Sequence, residues 1–249
     1  MPHRERLFAL ALAGAALTAG LIAGVGGWPG SATPTLLVGF PDCEAPGAGL
    51  VAQPTAAWTS LVFVAAGVWI AGDRRLVSAP VRLLVASTIA AVGLASFFGH
   101  AALTDWARQL DSLAIKLMLV TFILAALSRL RSREEPASSA GWSFSAVWAG
   151  AAAATLTAEL LWPAAGEPLL AALVLAALTL ATLIATPENR RWLLLGLALL
   201  GAAVAAWWLG RGNGPLCAPW ALFQLHGLWH ILAAAGIASV YQAYRSETP

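Results

Sequence analysis

The chain has 249 residues, of which 59% are hydrophobic and only 10% are charged, and its formal net charge is +2. Soluble domains carry roughly a quarter of their residues as charges, so this composition excludes an ordinary soluble domain and indicates an integral membrane protein. The mean hydropathy of +0.76 agrees with that class. A nearly neutral charge without a basic patch gives no sign of nucleic-acid binding.

Eight segments are apolar and long enough to cross a bilayer as helices, which takes about 20 residues. In chain order they cover roughly 7–25, 54–71, 81–103, 108–128, 142–161, 168–186, 190–209 and 218–241. The polar stretch 131–136 is predicted as a loop, and Pro187-Glu188-Asn189 as a tight turn. Because no long linker separates the segments, the sequence predicts a compact, all-α integral membrane protein.

The basic residues are distributed unequally between the two sides of the predicted bundle. With the amino terminus inside, eleven of the fourteen Lys and Arg residues fall in cytoplasmic segments: Arg4, Arg6, Arg74, Arg75, Arg82, Arg129, Arg131, Arg133, Arg190, Arg191 and Arg245. Only Arg108 and Arg211 fall on the opposite side, and Lys116 lies within a span. This asymmetry follows the positive-inside rule and predicts eight spans with both termini in the cytoplasm.

The first hydrophobic segment has two interpretations. The basic start of the chain, the apolar run at 7–25 and the small residues Gly30-Ser31-Ala32 fit a cleavable signal peptide. The run is long for a signal peptide, which favours an uncleaved anchor helix. In either case residues 1–30 form a separate hydrophobic unit, and residues 31–249 form a bundle of seven transmembrane helices. The Arg-, Ala- and Leu-rich composition is typical of a bacterial inner-membrane protein.

Both cysteines fall on the outer side under this topology, Cys43 in the first outer loop and Cys217 just before the last span. An outward-facing compartment permits disulfide bonds. A bond between them would join the first of the seven helices to the last. Two free thiols are the alternative.

Three of the four histidines lie within or beside apolar segments. His226 and His230 are four residues apart in the last span, hence on one helical face, and His100 lies near the outer end of the third span. Ionisable residues inside a membrane are costly and mark functional sites. Three histidines are the ligand set of a catalytic zinc site whose open position binds water. Polar side chains in membrane helices also serve simply to link helices by hydrogen bonds.

Two more polar residues fall at the same depth as the histidines. Ser96 lies one helical turn before His100, and Asp111 lies near the outer end of the following span. Beside a zinc ion, Asp111 suits proton transfer and Ser96 suits hydrogen bonding to a developing oxyanion. Each also has a simpler interpretation, Ser96 as a small packing residue and Asp111 as an ion-pair partner of Lys116. Because the five polar residues share one depth, the metal site is favoured.

These motifs together resemble the alkaline ceramidase family. Ser96-Phe97-Phe98-Gly99-His100, then Asp111, then His226-Gly227-Leu228-Trp229-His230 match the family's site pattern in its helix order. Cys43-Glu44 and the stretch 53–61 resemble the family's Cys-Glu motif and the start of its first helix. The resemblance covers residues 42–240. The wider superfamily also holds adiponectin/progestin-type receptors and GPI-anchor-remodelling lipases.

The resemblance implies a seven-helix, zinc-dependent hydrolase that cleaves the amide bond of ceramide or a similar N-acyl lipid. The residues that it assigns are His100, His226 and His230 as zinc ligands, and Ser96 and Asp111 as catalytic groups. It also favours the Cys43–Cys217 bond. The short loops leave no room for a soluble catalytic domain, so the lipid substrate is expected to reach an outward-facing site from the bilayer.

Three features depart from that family. Its calcium-binding acidic stretch corresponds here to Pro41–Pro46 and a later acid to Gln53, so only Glu44 and Asp42 remain as hard oxygen ligands. Calcium needs several such ligands, and the sequence therefore predicts no calcium site. The N-terminal hydrophobic segment has no counterpart in the seven-helix core. Ser112 stands where the family has an acid beside the aspartate.

Two further charges lie inside spans. Lys116 either extends toward the membrane surface, pairs with a carboxylate or contacts a substrate headgroup, and Glu159 is expected at the interface. Two rival functions remain open. One is a lipid esterase or phospholipase of the same superfamily, and the other is a receptor-like protein with structural zinc, which the short cytoplasmic loops disfavour.

Overall fold

The computed structural model describes residues 28, 42–47, 49–73, 79–134 and 143–244. This part of the chain is helical and contains no strand. In chain order the helices are α1 (Pro54–Ser60), α2 (Val62–Gly72), α3 (Ala79–Ala102), α4 (Asp105–Glu134), α5 (Phe144–Leu161), α6 (Gly166–Ile184), α7 (Arg190–Leu209) and α8 (Leu225–Gln242). The predicted all-α class is confirmed. The predicted span at 7–25 lies outside the described residues, as does all of the unit 1–30 except Trp28.

Six segments of the described chain are long and apolar enough to cross a membrane. They are Pro54–Gly72, which joins α1 and α2, then Ala79–Ala102, Asp105–Arg131, Phe144–Leu161, Pro163–Ile184 and Arg190–Leu209. Large apolar side chains such as Leu161 and Leu175 point away from the bundle, 79% and 67% exposed. Apolar surface of this extent indicates an integral membrane protein. The 18-residue helix α8, which carries two histidines, is not among these six segments.

Two predicted boundaries differ from the structure. The last span was expected from residue 218, but α8 begins at Leu225. Before it, the Gln224 amide donates to the carbonyls of Ala218 and Ala221 at 3.0 and 2.8 Å, which stabilises a non-helical segment. The predicted loop at 131–136 is wrong in its first part, because α4 continues to Glu134. Arg and Glu are good helix formers, so the helix persists beyond its apolar part.

Close backbone approaches hold α3 and α8 in place. A Cβ atom at Gly93 of α3 would lie 2.9 Å from the carbonyl oxygen of Ser60 and from the amide nitrogen of Val64. A Cβ atom at Gly196 of α7 would likewise lie 2.9 Å from the carbonyl oxygen of Gly236. Only glycine permits contacts this short. They pack α3 against the α1–α2 segment and α8 against α7.

The chain brings three helix ends together at one end of the bundle, here called the site end. It contains the carboxyl end of α3, the amino end of α4 and the amino end of α8, with α1 beside them. Between α3 and α4 the chain turns at Leu103, whose φ of 51° is unusual for a residue other than glycine. Leu103 is 1% exposed, so tertiary packing holds this turn.

Candidate metal centre

The three predicted histidines meet at the site end and are buried. His100 comes from the last turn of α3, and His226 and His230 come from the first two turns of α8. The ring centroids lie 4.7 Å apart for His100–His226 and His226–His230, and 5.4 Å apart for His100–His230. One nitrogen of each ring lies within 4.8 Å of those of the other two. Three imidazoles in this arrangement can hold a metal ion.

The Nδ1 atom of each imidazole faces an oxygen from the segment 42–59. Nδ1 of His100 donates to Oε1 of Gln53 at 2.8 Å, since an amide oxygen can only accept. Nδ1 of His226 lies 3.1 Å from Oδ1 of Asp42. Both oxygens favour the tautomer with the proton on Nδ1, which leaves the Nε2 lone pair for a metal.

Thr59 favours the same tautomer of His230, with the proton on Nδ1. The Thr59 hydroxyl donates to the carbonyl of Thr55 at 2.6 Å, so its oxygen is able to accept from Nδ1 of His230 at 3.2 Å. The contact requires α1 and α8 to be close. A Cβ atom at Gly227 would lie 3.2 Å from Oγ1 of Thr59. Glycine at this position therefore lets Thr59 reach its histidine.

A disulfide holds the segment 42–47 over the site end. Cys43 and Cys217 are bonded, with their Cα atoms 5.4 Å apart. The amide of Ala45 also donates to the carbonyl of Pro219 at 3.0 Å, and Asp42 forms an isolated β-bridge with Arg211. The predicted disulfide is thus present, and it fixes the loop that carries Asp42 beside the start of α8.

Glu44 and Gln53 connect that loop to α1 and α3. The two carboxylate oxygens of Glu44 accept from the amides of Thr55 and Ala56 at 2.7 and 2.8 Å, in the first turn of α1. Negative charge at a helix amino end is favourable. The amide of Gln53 donates to the carbonyl of His100 at 3.1 Å, because the last carbonyls of α3 have no partner within the helix. These bonds place the Gln53 side chain beside the His100 ring, where its Oε1 accepts from Nδ1.

Ser96 and Asp111 also lie at the site. Oγ of Ser96 is 3.4 Å from Nε2 of His230, on the side of the ring opposite Thr59. The Ser96 and Asp111 side chains are hydrogen-bonded to each other. Oδ1 of Asp111 is buried and has no hydrogen-bond partner among the described residues. All five residues proposed from the sequence therefore come together in space.

Asp42 and Arg108 are site residues that sequence reasoning did not identify. Asp42 is 4% exposed and was considered only as a calcium ligand. Its Oδ2 accepts from Nη1 of Arg108 at 3.0 Å and lies 3.8 Å from Nδ1 of His100. One signal was available: Asp42 precedes Cys43, and the disulfide partner Cys217 precedes the helix of His226. A bonded pair would carry Asp42 toward those histidines.

Lys116 does not pair with Asp111, as one simple interpretation proposed. It forms an ion pair with Glu159 of α5, and its Nζ donates to Oγ of Ser112 at 2.7 Å. Lys116 is 1% exposed, so it does not extend toward the membrane surface. The pair links α4 to α5 and leaves the carboxylate of Asp111 available at the site.

The fold and the site together define a class: an integral membrane protein with a buried three-histidine site able to hold a metal ion. The comparison with known families makes this more specific. The model of the Ceramidase family matches residues 48–246, and the chain belongs to that family. A search of curated proteins gives no match. Membership makes the protein a hydrolase of the amide C–N bond of ceramide-type lipids.

Proposed function

We propose that this protein is a zinc-dependent intramembrane hydrolase that cleaves the amide bond of ceramide or a similar N-acyl lipid. The observation that carries the proposal is the buried cluster of His100, His226 and His230, whose ligand atoms lie within 4.8 Å of one another in a Ceramidase-family chain. An all-imidazole donor set suits zinc. The oxygens that face the three Nδ1 atoms supply the outer contacts that such a site needs.

The metal and the protein contribute different parts of the chemistry. Bound at the three histidines, zinc would supply a Lewis acid that polarises the substrate carbonyl and lowers the pKa of water. The free Oδ1 of Asp111 supports a role in proton transfer, because it is buried and unpaired among the described residues. Asp111 would take a proton from the attacking water and deliver it to the amine nitrogen. A C–O bond forms, the C–N bond breaks, and the products are a fatty acid and a free amine.

Ser96 has the position for a second catalytic contact. Its hydroxyl lies beside Nε2 of His230 and is bonded to Asp111. In the reaction it would donate to the oxygen of the substrate carbonyl, where negative charge develops. Before the substrate binds, the same hydroxyl donates its single proton to Asp111 and holds the carboxylate toward the histidines.

A cavity beneath the histidines supports a lipid substrate. It has a volume of about 510 Å³, and apolar side chains line it. Two of these, Phe63 and Trp229, pack against the His230 ring with centroid distances of 6.2 and 4.8 Å. Cavities of this size hold ligands as large as a drug molecule. An acyl chain in it would bring its amide carbonyl to the metal centre.

The same cavity offers an access route from the bilayer. Its wall includes Val174 and Leu178 of α6 and Leu197 and Val204 of α7. These two helices follow each other in sequence but make few contacts with each other. A lipid would therefore pass sideways between α6 and α7, which agrees with the short loops.

We infer the membrane orientation from the arginines. Arg129, Arg131, Arg190 and Arg191 belong to the end of the bundle opposite the site end, and the positive-inside rule assigns that end to the cytoplasm. We propose a bacterial inner-membrane protein with both termini inside and the metal site toward the outer face, where the disulfide is stable. With an uncleaved N-terminal helix at 7–25, it would have eight spans, seven of them in the ceramidase-like domain 31–249.

We propose that zinc is the only metal and that calcium is not used. Both oxygens of Glu44 accept backbone amides of α1. Asp42 pairs with Arg108, and Gln53 contributes a neutral amide. This set does not supply the several free oxygens that calcium requires.

Product analysis tests the reaction. Purified protein is incubated with a native lipid extract, and the released molecules are identified by mass spectrometry. An amide hydrolase releases a fatty acid and a free amine in equal amounts. Release of a lysolipid with the fatty acid would instead assign the protein to the esterases and phospholipases. No release from any lipid would favour a receptor-like protein with structural metal.

Asp111→Asn tests the proposed mechanism, and Asp105→Asn is its control. Asp105 is an exposed aspartate in the first turn of the same helix. Asp111→Asn should keep its metal and lose activity by roughly 100-fold or more, whereas Asp105→Asn should keep both. Loss of metal in Asp111→Asn together with full activity in Ser96→Ala would show that the two roles are wrong.

A further inference from the structure

Two aromatic rings pack against each other at the end of the apolar cavity away from the histidines. A narrow extension of about 50 Å³ continues the cavity between α4, α6, α7 and α8, and it ends at Phe122, Val240 and Tyr244. Phe122 and Tyr244 are 5% and 3% exposed. Their rings pack edge to face with centroids 5.2 Å apart. This pair of rings is here called the cavity floor. A lipid chain can pass it only by separating the two rings, which loses their packing.

Two helices give independent values for the depth of the floor. Tyr244 is 14 residues after His230, and Phe122 is 11 residues after Asp111. At 1.5 Å per residue these separations correspond to about 21 and about 16.5 Å along the bundle. One leaflet of a bilayer has a hydrocarbon thickness of about 15 Å. The distance from the metal centre to the floor therefore matches the length of one long-chain lipid tail.

We propose that Phe122 and Tyr244 set the longest acyl chain that the protein accepts. Each methylene that reaches the apolar cavity favours binding by roughly fourfold. This gain ends where the chain meets the floor, and longer chains must separate the two rings or leave methylenes outside. The inference rests on the proposed function for its substrate, but chain binding itself can be measured without any reaction.

Substitutions at the floor and in the middle of the cavity should move the limit in opposite directions. Tyr244→Ala and Phe122→Ala each remove a ring, so longer chains should fit. Tyr244→Phe keeps the ring and removes only a hydroxyl that has no partner among the described residues, so the limit should stay. Ala177 is buried and lines both parts of the cavity, so Ala177→Leu should shorten the accepted chain. Ala153→Leu, at an exposed position of α5, is its control.

The test measures which fatty acids the purified proteins retain. Each protein is incubated with an equimolar mixture of saturated fatty acids of roughly 12 to 24 carbons, excess lipid is removed, and the bound acids are identified by mass spectrometry. The wild type should retain few acids above about 18 carbons. The limit should rise by about four carbons in Tyr244→Ala and Phe122→Ala and fall in Ala177→Leu. Tyr244→Phe and Ala153→Leu should match the wild type.

An unchanged distribution in the folded variants would overturn the inference. Two variants should raise the accepted chain length and one should lower it. A single variant that fails to fold therefore does not decide the result. The outcome is separable from the proposed function. If the chain-length limit shifts but no N-acyl lipid is hydrolysed, the proposed reaction is wrong and the role of the cavity floor stands. If N-acyl lipids are hydrolysed with the same chain-length limit in every variant, only the role of the cavity floor is wrong.

Discussion

Oδ1 of Asp42 lies 3.1 Å from Nδ1 of His226, and the other oxygen of the same carboxylate accepts from Arg108 at 3.0 Å. Asp42 therefore connects a metal-site histidine of α8 with the amino end of α4. A carboxylate beside a histidine fixes the ring and makes its other nitrogen a better ligand. Asp42 is thus expected to position His226 without touching the metal or the substrate.

Asp42→Asn should weaken metal binding without loss of the fold. The variant keeps the shape of the side chain but removes the charge that favours the Nδ1 proton of His226. We expect zinc affinity to fall by about 10- to 100-fold, as measured by competition with a chelator of known affinity. Asp105→Asn makes the same chemical change at an exposed position and should bind zinc like the wild type. Equal affinity in both variants would show that Asp42 does not support the histidine.

Reduction of the disulfide should release metal from the site. The Cys43–Cys217 bond fixes the loop that carries Asp42, and Gln53 follows in the same segment. We expect reductant to lower the zinc content of the wild type. The Cys43→Ser/Cys217→Ser double variant should start with weaker binding and show no further response to reductant. Alkylation of both thiols without prior reduction would mean that the bond is absent.

A side chain at Gly227 should disturb the site, because α1 and α8 lie close together there. A Cβ atom would lie 3.1 to 3.3 Å from Thr55 and Thr59, so Gly227→Val must push Thr59 away from His230. We expect zinc affinity to fall by roughly tenfold. At Gly150 on α5 a Cβ atom meets nothing within 4 Å, and Gly150→Val should leave zinc affinity unchanged. Wild-type affinity in Gly227→Val would contradict the role given to Thr59.

Removal of one charge of the Lys116–Glu159 pair should destabilise the protein more than replacement of both charges. Glu159→Leu leaves the buried Lys116 ammonium with the Ser112 hydroxyl as its hydrogen-bond partner among the described residues. We expect this variant to lower the free energy of unfolding by roughly 2 kcal/mol or more. The double variant Lys116→Met/Glu159→Leu removes both charges and should recover much of this loss. Thermal unfolding in detergent measures both. A double variant no more stable than the single variant would contradict this account.

The sequence was sufficient to predict that five polar residues, His100, His226, His230, Ser96 and Asp111, lie together at one end of the bundle. Helical periodicity puts His226 and His230 on one face, and the alternation of spans brings the ends of α3, α4 and α8 to the same side of the bundle. Neither argument depends on loop conformation. The same topology permitted the disulfide, because both cysteines fall on that side, and the family resemblance favoured it.

The outer contacts of the histidines could not be predicted in this way. Asp42, Gln53 and Thr59 reach the rings only because the loop before α1 docks on the carboxyl end of α3, beside a turn in which Leu103 has a positive φ. Tertiary packing fixes that conformation, and sequence patterns do not encode it locally. Pairing of Lys116 with a carboxylate was one of the alternatives, but its partner Glu159 could not be identified for a similar reason, since it depends on where α5 lies against α4.

The dependence of amide hydrolysis on the three-histidine site is the most direct test of the account. Purified protein is stripped of metal, supplied with zinc, and assayed for fatty acid and free amine released from ceramide, in parallel with His226→Ala. We predict release by the zinc-loaded wild type, no release by the stripped protein, and neither zinc binding nor release in the variant. Full activity in a metal-free His226→Ala preparation would contradict the assignment of this site as the catalytic metal centre.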